Sequence, residues 1–252
     1  MRRSLLIFAA LVAAVVLFAL RLAPASLADA RIAAMTKDAV HLTDVEGTLW
    51  NASGTIAAGA TRMPIAWRID ATPLLRGELR LQLVRGDGDS ASMPKGAVAI
   101  RRDAVALRDI DATIPAGLFA AATIGSGSGV AGGDVAINAA SVEWTPSAMR
   151  GDARIRWLGA WITVPGSAAP TALGDITAAL SGNADPLSGP ITNAGGDLAI
   201  QGTLTCGAQS GVQLSLVLTP RRADDRNLAQ ALSMIGAPEG DGWRVEWRIP
   251  LR

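Results

Sequence analysis

Gly77-Glu78-Leu79-Arg80-Leu81-Gln82-Leu83-Val84-Arg85 decides the fold class. Leu79, Leu81 and Leu83 alternate with Glu78, Arg80 and Gln82, a period of two that puts leucines on one face of a strand over 78–85 and polar groups on the other. The alternation recurs in both directions from this stretch. Over 63–70, Ile65, Trp67 and Ile69 oppose Ala66 and Arg68; over 211–219, Val212, Leu214, Leu216 and Leu218 oppose Gln213, Ser215 and Thr219. Further strands are expected at 45–50, 53–56, 96–100, 105–110, 133–138, 141–144, 151–158, 160–164, 174–181, 196–201 and 243–249. Glycines open many of them, as at Gly77, Gly96, Gly133, Gly151, Gly174 and Gly196, and the Gly-Asp pairs among these, at Gly133, Gly151, Gly174 and Gly196, read as hairpin turn chemistry.

The spacing predicts few helices. A short one is expected over 115–122, with Leu118 and Phe119 to bury, and another over 27–35. The third, over 225–235, has an Asp224 or Asp225 cap, apolar Leu228, Ala231, Leu232 and Ile235, and Gly236-Ala237-Pro238 as its stop. The body is therefore mainly β: an antiparallel meander forming either one curved sheet or a two-layer sandwich. Gly125-Ser126-Gly127-Ser128-Gly129 separates two loosely repeated halves, 45–124 and 130–252, each with a tryptophan-bearing strand near its start (Trp67, Trp157).

Residues 4–20 are free of charge, with Arg2 and Arg3 before them and Arg21 after. As a helix the run spans roughly 26 Å, just short of a hydrocarbon core of about 30 Å, and a snorkelling Arg21 closes the gap. We expect a transmembrane anchor over 1–22, a juxtamembrane linker over 23–44 and a β-rich body over 45–252. The early arginines place the N-terminus in the cytoplasm and the body across the membrane. A cleaved secretory signal is the alternative, with small-residue sites at Ala23-Pro24-Ala25 or Ala28-Asp29-Ala30. The run is longer than the apolar core of about 7–15 residues usual there.

Lys and Arg number 23 and Asp and Glu 22; without Arg2 and Arg3 the balance is 21 against 22. A near-neutral body argues against nucleic acid as a partner. His41 is the single histidine and Cys206 the single cysteine, which leaves no triad with a choice of partners, no His-rich metal site and no internal disulfide. Gly127 to Gly132 matches the letters of a dinucleotide-binding loop but precedes a strand where a helix is needed. Asp87-Gly88-Asp89 lacks the remaining ligands of a calcium loop. Nothing reads as catalytic, and no cofactor or metal is implied. Aromatic usage is skewed, with 7 Trp, 3 Phe and no Tyr. Trp243, Val245 and Trp247 share one face of the final strand and are the candidate partner-binding residues, at a strand edge.

Val45-Glu46-Gly47-Thr48-Leu49-Trp50, then Gly54 and Trp67 ahead of Pro73, resembles the N-terminal signature of type II secretion system protein N. Trp144, Arg154-Ile155-Arg156-Trp157 and Leu173-Gly174-Asp175-Ile176 agree, as do Leu232 to Pro238 and Asp241-Gly242-Trp243. The chain departs from the pattern at Asn51-Ala52-Ser53, where a glycine would directly follow the tryptophan. The resemblance implies a non-enzymatic accessory of the Gram-negative machinery that exports folded proteins across the outer membrane. It also implies an inner-membrane location, a periplasmic body, and platform protein C and the secretin as partners. A competing reading from the alternation is an anchored lipid-binding or lipid-transfer protein, whose curved sheet offers one continuous apolar face.

Overall fold

The computed structural model describes residues 22–84, 93–124, 131–163, 169–183, 185–222 and 226–249. The anchor expected over 4–20, the Asp87–Asp89 loop and the glycine–serine link lie outside them. No helix among the described residues is long and apolar enough to cross a membrane.

Alternation builds one antiparallel sheet. After helix α1 (Ser26–Thr36) come β1 (His41–Thr48), β2 (Asn51–Ala58), β3 (Thr61–Asp70), a 3-10 turn (Thr72–Arg76), β4 (Leu79–Leu83), β5 (Lys95–Ile100) and β6 (Val105–Pro115). Helix α2 (Ala116–Ile124) leads to β7 (Ala131–Thr145), β8 (Ala148–Ile162), β9 (Thr171–Gly182), β10 (Leu187–Ala194), β11 (Leu198–Gly207) and β12 (Gly211–Pro220). Helix α3 (Arg226–Ile235), β13 (Ala237–Glu239) and β14 (Gly242–Ile249) complete the order. The sheet has 14 strands; each pairs with its sequence neighbour until the end, where β14 pairs with β12 and β13 lies outside it.

Cross-strand pairs show how the sequence sorts the two faces. Ala112, Ile137, Ile155, Ala178 and Ile191 stand opposite one another on successive strands, an apolar row that continues to Leu216 and Val245. Arg108, Ser141, Asp152, Ser181 and Ser188 form the matching polar row and end at Gln213 and Arg248. The apolar face curves inward: non-adjacent strands touch across it, β3 with β6 and β8 with β11. One cluster there joins Leu173, Leu180, Ile191, Leu198, Ile200 and Leu204 to Leu228 and Leu232 of α3. A second gathers Leu42, Ala52 and Trp67 under Ala25, Ala28 and Ile32 at the other end.

The structure corrects the strand reading at several points. We expected separate strands at 133–138 and 141–144, and at 151–158 and 160–164; β7 and β8 each run through. The pairing shifts between Ala139 and Ser141 and between Trp157 and Ala160. A bulge reverses which parity faces inward without ending the strand, so the sequence pattern breaks where the ladder does not. Gly133, expected in a hairpin turn, sits instead at a register shift inside β7 with φ of 90°, and Gly96 sits at another inside β5 with φ of 135°; a bulge residue at positive φ favours glycine. Strand β10 had no sequence-based expectation; its stretch holds Gly189 and Pro190, both disfavoured inside a strand. Pro190 pairs with Thr203 of β11, while Gly189 lets β9 approach so closely that a Cβ there would lie 1.6 Å from the Ala179 carbonyl.

Candidate functional site

The three expected partner-binding residues lie on β14, and packing separates their roles. Trp243, Val245 and Trp247 stand directly opposite Leu218, Leu216 and Leu214 of β12. Trp243 and Val245 pack against the larger cluster beside Leu228 and Leu232, whereas Trp247 is 55% exposed and Ile249 47%. These two line an apolar notch of about 50 Å³ with Val212 and Leu214. A wider, open depression of about 580 Å³ is lined by Met234, Ile235, Gly236, Ala237, Arg244 and Glu246.

Backbone pairing makes this the open end of the sheet. β13 covers only Gly242, Trp243 and Arg244, so residues 245–249 pair with no strand on their outer side among the described residues, although Gly236 packs against Arg244 and Val245. The sequence reading missed β13, which is only 3 residues long. The Gly240-Asp241 pair between Glu239 and Gly242 was the available hairpin signal. Arg244 clamps that hairpin: its Nη2 donates to Glu239 Oε1 at 2.6 Å and its Nε to Oε2. The guanidinium holds the Glu239 carboxyl below the usual range, and the carboxylate in turn raises Arg244. Glu246 and Arg248 face the uncharged Ser215 and Gln213 across the strand.

The opposite edge is closed by the chain itself. Pro24 bridges to Thr48, Ala25 N–H donates to the Gly47 carbonyl, and Asp29 Oδ1 accepts the Leu42 N–H at 2.7 Å. An unpaired strand edge is a template for another chain unless something blunts it. Here one edge is blunted and the other is left open over 245–249.

The single histidine and the single cysteine lie elsewhere. His41 lies beside Asp29, with Nδ1 3.7 Å from Oδ1 and Nε2 3.1 Å from the Asp38 carbonyl. Cys206 is half-buried, and burial pushes its thiol up, away from the reactive thiolate. Among the described residues no group of three or more His, Cys, Asp or Glu is placed to hold a metal ion. The arrangement can therefore offer a binding edge: free main-chain groups, an exposed indole and two unpaired-across charges.

The family model for type II secretion system protein N matches residues 38–246. The comparisons with curated proteins and with solved structures found no match.

Proposed function

The chain belongs to the type II secretion system protein N family, and from that premise we propose that it is a non-enzymatic accessory component held at the inner membrane. The charge-free run over 4–20 supplies the anchor, the N-terminus is cytoplasmic, and the β body stands in the periplasm. Its place in the machine is beside the inner-membrane platform, with protein C and the secretin as the assembly it serves. Family membership carries this reading, and the open edge at Trp243, Val245 and Trp247 supplies a surface for protein contact. The test is deletion of the chain together with fractionation of a tagged full-length form. Loss of export of folded proteins, and co-purification of the platform from the inner-membrane fraction, support the reading. Intact secretion in the deletion strain overturns it.

One observation favours a second reading. The apolar row from Ala112 to Val245 crosses the inward face without an intervening charge, and Ile137, Ile155, Leu216 and Val245 along it are only half-buried. Such a face suits an acyl chain. Mass spectrometry of the purified full chain that finds co-purified lipid supports this reading, and a lipid-free protein removes it.

A further inference from the structure

We propose that β14 pairs with β14 of a second copy of this chain, antiparallel about a two-fold axis through Trp247. This rests on the reading of β14 as a docking edge and names its occupant.

The main chain sets the register. The two-residue loop Gly240-Asp241 closes on Glu239 and Gly242, which makes that pair, and the next-but-one pair Ala237 with Arg244, hydrogen-bonded. Pro238, which has no N–H, falls opposite Trp243 at the intervening non-bonded position. Continuing the alternation along β14, Glu246 and Arg248 turn their N–H and C=O groups to the open side. An antiparallel partner must exchange bonds with these two residues.

The side chains suit one partner in particular. With the axis at Trp247, Glu246 lies opposite Arg248 of the second copy and Arg248 opposite Glu246 of the second copy. The open edge is thus complementary in charge to itself, and neither charge has an opposite charge across from it on β12. On the apolar face Val245 meets Ile249 of the second copy, and the two Trp247 indoles meet at the centre. The pairing also stops where it should. Arg244 already faces Ala237 of β13, so its outer side is taken. The depression beside Glu246 lies at the end where Ile249 of the second copy arrives, and its walls include Met234 and Ile235, 73% and 59% exposed. The blunted β1 edge excludes head-to-tail growth through β14 and β1, so the contact closes as a dimer.

The test uses the full-length chain in detergent, with self-association measured by sedimentation. The wild type dimerises. Glu246→Arg and Arg248→Glu each put like charges opposite and weaken the dimer roughly tenfold or more. The double exchange restores it, and an equimolar mixture of the two single variants associates as a heterodimer. In a Cys206→Ser background, Trp247→Cys forms a disulfide between copies, because non-hydrogen-bonded partners lie about 4.5 Å apart at Cα. A wild type that stays monomeric, or a dimer indifferent to both charge reversals, overturns the proposal. Secretion by the same variants separates this failure from that of the docking reading. A monomeric wild type whose variants lose secretion means the edge docks a different chain; unchanged secretion as well removes the edge altogether.

Discussion

Asp29 Oδ1 accepts the backbone N–H of Leu42 at 2.7 Å, so a helix side chain supplies the acceptor that a neighbouring strand would otherwise bring to β1. With Ala25 N–H on the Gly47 carbonyl, that bond makes the first edge of the sheet unavailable for pairing. Asp29→Ala leaves the Leu42 donor open. It should cost about 1 kcal/mol, accelerate exchange of the Leu42 amide, and produce aggregation through β1 that Asp29→Asn, which keeps the acceptor, does not. Unchanged exchange in the alanine variant would show that the edge is held by other contacts.

Three tryptophans test what an indole N–H contributes. Trp67 Nε1 donates to the Leu49 carbonyl at 3.0 Å, and Trp157 Nε1 to the Gly132 carbonyl at 2.9 Å. The Trp144 Nε1 is buried with no partner among the described residues. Replacing Trp67 or Trp157 by Phe removes a donor from a formed bond and should cost about 1 kcal/mol beyond the change in packing. Trp144→Phe removes an unsatisfied donor and should be nearer to neutral. Denaturant unfolding of the three variants checks the order; equal losses would count against it.

Asn193 ties three strands, and the residue that follows β12, at one point. Its Nδ2 donates to the Leu173 and Leu198 carbonyls at 2.6 and 2.8 Å, its Oδ1 accepts the Ile200 N–H at 2.8 Å, and Arg221 Nη2 reaches the same oxygen at 3.5 Å. Asn193→Ala should destabilise the body by about 1–3 kcal/mol, since buried partners lose a bond that water cannot replace. Asn193→Asp should fare no better, because a carboxylate turns two donated bonds into repulsion with carbonyls. Hydrogen exchange in β9–β11 is the sensitive readout.

Acid should loosen two charged clasps. Arg80, then Arg101, hold the Glu78 carboxyl below its usual 4.5 by hydrogen bonding, and Arg244 does the same for Glu239. A carboxyl lowered on folding contributes stability that is complete above its unfolded value and is lost as pH falls through the folded one. Melting temperature should therefore decline below about pH 4.5, and less steeply in a Glu78→Gln, Glu239→Gln variant. The Glu239 carboxylate is exposed, so its share of the difference should shrink in high salt, whereas Glu78, largely covered by its two arginines, is screened less. Parallel pH profiles would exclude the clasps as a source of acid sensitivity.

Strands with clean alternation were legible from residues alone: Leu79, Leu81 and Leu83 face inward from β4, and Val212 to Leu218 from β12, as their spacing requires. Helix α3 was legible from Leu228 and Leu232, both buried on the sheet. The breaks inserted near Ser141 and Ala160 were not real breaks, because a phase change in a pattern has the same appearance for a loop and for a bulge. At the candidate site, the shared face of Trp243, Val245 and Trp247 could be read from parity. Their different exposures could not, since α3 and β13 return to cover one end of the strand and leave the other.

By itself the sequence determined the β class, the near-neutral body, the scarcity of groups for catalysis and the family. Each of these depends on residue type and local period, which survive without knowledge of neighbours. Tertiary structure decided that the strands form one sheet, that bulges carry β7 and β8 through their phase changes, and that one edge is closed while the other is open. Those outcomes depend on where main-chain N–H and C=O groups find partners, and in this chain the deciding partners, Asp29 and the short strand β13, are set by how the backbone returns to the sheet.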